Sequence, residues 1–232
     1  MKKLLIGISV VGIGVAHAAS FDGIHVGVQG GYGGTKGKVQ SYEYSTNKPM
    51  AKSELNPMGF EGGFSLGYLH NVGSNVHVGI DCEANIPTGK AQNTFDVLVT
   101  DKAFTLKTKN KMSYAGSLVL GYAFGNAMPY VKLGYGMHKY SLDLARRVGG
   151  ILPLPAYNAK KTKTLSGFRV ALGSQIALSD CVLMGFEYGH TLLSKKLTIS
   201  DDGAAGPNSR KFTLKPSAAQ SFKLRLTYRF GM

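Results

Sequence analysis

Eight times along its 232 residues the chain alternates, position by position, between a large apolar side chain and a glycine, a serine or a charge. A period of two belongs to extended backbone, whose successive side chains point to opposite faces. In the first half the apolar faces are Ile24, Val26, Val28, Gly30 and Tyr32; Met58, Phe60, Phe64, Leu66 and Tyr68; Val76, Val78, Ile80, Cys82, Ala84 and Ile86; and Met112, Tyr114, Leu118, Leu120, Tyr122 and Phe124. In the second half they are Val131, Leu133, Tyr135 and Met137; Phe168, Val170, Leu172, Ile176 and Leu178; Val182, Met184, Phe186 and Tyr188; and Phe222, Leu224, Leu226, Tyr228 and Phe230. Helical periodicity is hard to find, and no apolar run reaches the roughly 18 residues of a membrane-spanning helix.

A soluble β-sandwich would also alternate, but three features oppose it. The faces opposite the aromatic ones are rich in glycine, which makes up 31 of 232 residues, about twice the usual 7% or so. The connections alternate in length: residues 70–75, 125–128 and 179–181 are short, whereas 34–57, 87–111, 139–164 and 193–218 are long. Charge is sorted as well. Glu61, Asp81, Glu83, Lys132, Arg169, Glu187, Lys223, Arg225 and Arg229 all fall on the non-apolar face of their segments. A basic side chain turned to lipid near mid-membrane costs about 2–4 kcal/mol, so this sorting fits a surface that faces lipid. The expected fold is all-β, an eight-stranded antiparallel up-and-down transmembrane β-barrel with a charged lumen. Low charge (17%) with 44% apolar residues excludes a solvated disordered chain.

Lys2 and Lys3, the apolar stretch from Leu4 to Val15 and the small-x-small Ala16-His17-Ala18 have the layout of a secretory signal. The expected division is a signal peptide over residues 1–18 and a barrel over 19–232, its four long loops outside the cell. Phe95, Val97 and Val99, then Phe104 and Leu106, read as a hairpin that lengthens the third and fourth strands, in phase with Met112.

The opening Phe21-Asp22-Gly23-Ile24-His25-Val26-Gly27-Val28-Gln29-Gly30-Gly31-Tyr32-Gly33 and the aromatic last strand resemble the small outer-membrane β-barrel proteins of Gram-negative bacteria. These include the OmpA/OmpX-type barrels and the porin-like surface antigens of alphaproteobacteria. The resemblance implies a place in the bacterial outer membrane. Such barrels commonly end on phenylalanine, whereas here Phe230 is followed by Gly231 and Met232.

No catalytic residue, cofactor or metal is expected. The triplets His25-Val26-Gly27, His70-Asn71-Val72, His77-Val78-Gly79, His138-Lys139-Tyr140 and His190-Thr191-Leu192 lack the His-x-Ser spacing of a membrane-embedded lipid hydrolase. His25 and His77 point into one end of the lumen, but a third ligand is not apparent. Cys82 and Cys181, about four strands apart, should remain free thiols. The nine strand charges read as a structural ion-pair cluster filling the lumen. Counting up from one edge sets Glu187 level with Arg225. Twenty further basic residues lie in the long loops, with Arg146, Arg147, Lys160, Lys161 and Lys163 forming a basic patch. Outside the cell the nearest anions are lipopolysaccharide phosphates, so the expected partners are outer-membrane lipids, lipopolysaccharide and host or other cell-surface ligands. Nucleic acid is not expected, since no aromatic platform accompanies the patch, and the protein should be a monomer. The function that follows is a structural surface protein for envelope integrity or adhesion. A small ion-conducting pore and a binder of haem or another small ligand are the alternatives.

Overall fold

The computed structural model describes residues 21–43, 49–97, 102–148, 158–194, 197–200 and 210–231. The expected signal peptide over residues 1–18 lies outside them. Every described element is a strand: β1 (Gly23–Glu43), β2 (Pro49–Leu55), β3 (Met58–Gly73), β4 (Val76–Pro87), β5 (Lys90–Val97), β6 (Lys102–Tyr122), β7 (Ala127–Val148), β8 (Asn158–Ala177), β9 (Val182–Leu193), β10 (Leu197–Ser200) and β11 (Arg210–Phe230). Among the described residues no helix is long and apolar enough to cross a membrane.

Eight of these strands form the wall. The order β1-β3-β4-β6-β7-β8-β9-β11 is antiparallel throughout, and β11 pairs with β1 from Ile24↔Phe230 to Glu43↔Arg210. That last ladder closes the sheet and leaves the wall without an edge to aggregate. The other three strands continue wall strands after a break. β2 and β3 both pair with β1, β4 and β5 both with β6, and β9 and β10 both with β11.

The two ends differ. At one, adjacent strands are joined by tight turns. Gly73 pairs with Val76 around Ser74 and Asn75, whose φ angles of 50° and 65° are those a type I′ hairpin requires. Phe124 bridges to Ala127 around Gly125, again at positive φ. At the third turn the Val182 amide donates to Ser179 Oγ at 3.2 Å. At the other end the expected long loops are largely β-structure. Two four-stranded sheets, β2-β1-β11-β10 and β5-β6-β7-β8, rise above the breaks. The β5–β6 hairpin forms with Phe95 opposite Phe104, but its phase does not run on from Met112. The β6–β7 register slips between Asn110 and Met112, so Thr108 and Asn110 are buried although Met112, Tyr114 and Leu118 face outward. A bulge of this kind swaps the two faces of a strand.

Around the lower wall the large apolar side chains face out. Phe60 is 71% exposed, Phe64 68% and Leu118 67%, which only a hydrocarbon surrounding makes favourable. Aromatics edge the band: Tyr32 stands between Phe60 and Phe222 toward the tall end, and Tyr228 and Phe230 lie at the short-turn end. Their rings meet edge to face, at 5.4 Å for Tyr32–Phe60 and 4.9 Å for Tyr228–Phe230.

Candidate functional site

The inner faces of the strands fill the lumen in three layers. Nearest the short turns, Phe21, Leu69, Val119, Ala123, Met128, Tyr130 and Leu183 pack into an apolar floor. Phe21, which precedes β1, is fully buried and meets the His77 ring edge-on at 5.9 Å. In the tall end Val39, Tyr140, Leu142, Leu165 and Leu214 are all at most 3% exposed and form an apolar cap, with Tyr140 hydrogen-bonded to Thr35. Between floor and cap lies the charge.

Inward glycines make room for that charge. A Cβ at Gly189 would come within 2.8 Å of the Arg169 guanidinium, and one at Gly173 within 2.5 Å of the Tyr130 hydroxyl. At these two positions glycine leaves room for long side chains that lie across a narrow interior.

Asp81, Glu83 and Glu187 converge until their carboxylate oxygens lie within 4.8 Å of one another. Like charges so placed are held only by cations set among them. Lys132 Nζ bonds Asp81 and lies 2.7 Å from Glu187 and 3.6 Å from Glu83. Arg169 Nη2 reaches Glu187 at 2.8 Å and Glu83 at 3.3 Å. Lys223 Nζ lies 2.5 Å from Glu83 and 3.9 Å from Glu61. Arg225 grips Asp81 at 3.0 Å and Glu83 at 3.2 Å, while its Nε donates to Gln29 Oε1 at 3.0 Å. Gln29 in turn donates to Asn85 Oδ1 at 2.6 Å, and the Tyr130 hydroxyl to Glu187 at 3.1 Å. Four cations thus face four carboxylates, so the layer is neutral in sum.

Eight of the nine predicted charges meet here, with Glu61 at the upper edge. Arg229 does not join them. It sits at the short-turn rim, where its guanidinium donates to the carbonyl oxygens of Asp180 and Asp22 at 2.5 and 3.1 Å and ties the last strand to the first. Glu187 and Arg225 do meet within the cluster, but the expected level placement of the two is corrected. Strand stagger puts Lys223 opposite Glu187 and Arg225 opposite Gly185, so Arg225 bonds chiefly to Asp81 and reaches Glu187 only at 3.7 Å.

The voids between the layers are small. One of about 20 Å³ is lined by His25, Ser65, Asp81, Tyr130, Lys132 and Arg225, and another of about 20 Å³ by Glu61, Asn110, His138, Arg169 and Lys223. Each has room for about one water. His77 donates from Nδ1 to the Asn75 carbonyl at 3.1 Å and has Asp22 3.6 Å from Nε2. Among the described residues the one group with metal-ligand spacing is the carboxylate trio, and four side-chain cations already surround it. Cys82 and Cys181 are free thiols, Cys82 on the outer face.

The chain matches the family model of the outer membrane protein β-barrel domain over residues 4–230. It belongs to that family. As an outer-membrane barrel it shares its architecture with OprG of Pseudomonas aeruginosa, at 14% identity and a TM-score of 0.60 over 93% of this chain and 99% of that one. Looser likenesses are Ail, the attachment invasion locus protein of Yersinia pestis (15% identity, TM-score 0.39, 90% of this chain and 100% of that one), and the outer membrane protease OmpT of Escherichia coli (10%, 0.47, 90% and 97%). At such identities the likeness concerns fold alone, and proteins of different activities share it. No curated protein matches the chain.

The basic patch of this outer-membrane barrel lies in the tall end. Lys160, Lys161 and Lys163 are exposed on β8, opposite Asp143, Leu142 and Tyr140 of β7, so Lys160 takes one face of the strand and Lys161 and Lys163 the other, and the expected patch is divided between two faces. Arg146 and Arg147 stand farther out on β7, opposite Phe104 and Ala103 of β6. Two features escaped the sequence reading. Apart from Leu165, the apolar cap lies in segments whose sequence reads as long connections. The other is the strand face shared by Lys107, Lys109 and Lys111, which their alternate spacing signals.

Proposed function

We propose that this protein is a closed, monomeric surface barrel whose tall end stands outside the cell. Its work would be done there, in envelope integrity or adhesion, through contacts of the basic residues of the tall end with lipopolysaccharide and other cell-surface anions. One observation carries the reading: the lumen is occupied along its length by floor, neutral charge layer and cap. A pore, or a lumenal haem site, would need that packing displaced. The outward orientation is supported by the length asymmetry of the connections, since barrels of this membrane keep short turns on the periplasmic side.

Two measurements test it. Protease added to intact cells should cut within the long connections, residues 34–57, 87–111, 139–164 and 193–218, and spare the turns at 70–75, 125–128 and 179–181; cutting at the turns alone inverts the orientation. Cells lacking the protein should admit detergent more readily or adhere less. A copy with Arg146, Arg147, Lys160, Lys161 and Lys163 replaced by glutamine should fail to restore the lost property. Full restoration by that copy would take the function away from the basic patch.

A further inference from the structure

Nearer the membrane than Arg146, Arg147, Lys160 and Lys161, the outer face of the tall end carries lysines that do not face carboxylates. Lys90 of β5 stands directly opposite Lys109 of β6, and both are exposed. Cross-strand pairs bring Cβ atoms to about 4.5–5.5 Å, where like charges repel. Lys111 occupies the bulge between Asn110 and Met112, and Lys139 of β7 stands opposite Met112; both are exposed. On their other sides Lys109 faces Ser141 and Lys139 faces Thr164. Among the side chains described on the β5-β6-β7-β8 sheet, the one acid is Asp143. It lies one row higher, between Lys107 and Lys160, and accepts a hydrogen bond from Ser141 Oγ at 3.2 Å. The opposite sheet contrasts with this, because there Lys38 has Glu54 as its register partner.

Position narrows the choice of anion. Below these four lysines the same strands expose Tyr114, Tyr135 and Met137, the upper margin of the apolar band. A ligand held here would have its charged head against the lysines and an apolar body against the band. That is the form of a phosphorylated glycolipid of the outer leaflet, and each basic group near such a headgroup surface strengthens binding several-fold.

We propose that Lys90, Lys109, Lys111 and Lys139 form the seat of a glycolipid phosphate. The assignment rests on the tall end facing outward and on the lipopolysaccharide contact proposed above; it places the lipid-phosphate part of that contact at these four lysines and leaves the distal patch to other cell-surface anions. It also accounts for the Lys90–Lys109 pairing, since a phosphate between the two ammonium groups converts a repulsion into a bridge.

The test uses the refolded chain in phosphatidylcholine nanodiscs with added bisphosphorylated lipid A, its adducts counted by native mass spectrometry. Replacing the four lysines by glutamine should weaken lipid A retention by about tenfold or more, while retention of fully dephosphorylated lipid A should not change. Replacing all four by arginine should restore binding, which controls for folding. Glutamine at the distal Arg146, Arg147, Lys160 and Lys161 should leave retention near wild type. If that distal variant loses lipid A and the four-lysine variant keeps it, the seat is misplaced although the lipopolysaccharide reading stands. If both variants bind like wild type, seat and reading fall together. Displacement of lipid A by millimolar inorganic phosphate alone would make this a general anion site and overturn the lipid assignment.

Discussion

Lysine plays opposite parts in two regions of this barrel. Inside, Lys132 contacts three carboxylates and Lys223 two, and both are at most 3% exposed. On the outer face of the tall end Lys90 and Lys109 face each other in the open. In the lumen low polarity makes every charge depend on its partners, so the group works as one neutral plug. Outside, water and salt screen the repulsion, and the same residue type is left able to take a ligand from solution or membrane. Pairing therefore marks the inner charges as those that hold the structure, and the proposed ligand seat draws on lysines of the outer face that do not face carboxylates.

The comparison breaks if the inner charges are dispensable. Glu83→Gln leaves Lys223, Arg169, Arg225 and Lys132 short of their shared acceptor, and should cost about 3–5 kcal/mol in urea unfolding from detergent micelles. A loss below about 1 kcal/mol would show the cluster to be solvated. Next in size, Leu142→Ala in the cap should cost about 3 kcal/mol, as core truncations do; a negligible loss would return the tall end to the status of a loop. A double-mutant cycle sharpens the picture inside the cluster. Asp81→Asn with Arg225→Met should show coupling of about 1–3 kcal/mol, larger than Glu187→Gln with Arg225→Met, because Arg225 bonds Asp81 more closely. Equal coupling would mean that the network shares its charge without preference. Smallest of all, Lys109→Gln should raise stability by a few tenths of a kcal/mol through relief of the Lys90 repulsion, where any inner lysine would lower it.

Which side of each strand faces lipid was legible from the residues, because a period of two is a local property that chain order preserves. Which charges meet was not. Pairing across the lumen depends on barrel stagger, and residue counting set Glu187 beside Arg225 where the register sets it beside Lys223. The cap was hidden for a related reason. In β11 the outward residues Phe222, Leu224 and Leu226 have even numbers, yet Leu214 is buried, because the β1–β11 register slips between Lys36 and Gly37 and inverts the faces above it. A single unpaired residue does this, and alternation alone cannot locate it. Arg229 shared the parity of the lumen charges but sits at the rim, where it meets carbonyl groups instead of carboxylates.

The central claim is that the barrel is shut by its own side chains and acts from its outer surface. Planar-bilayer recording of the refolded wild type tests this most directly. With the charge layer held between an apolar floor and cap, the barrel should show no stepwise conductance above the bare-membrane baseline across a range of salt and voltage. Steady, stepwise currents from the wild type would contradict the account and make the lumen, not the lysine face, the working part of the molecule.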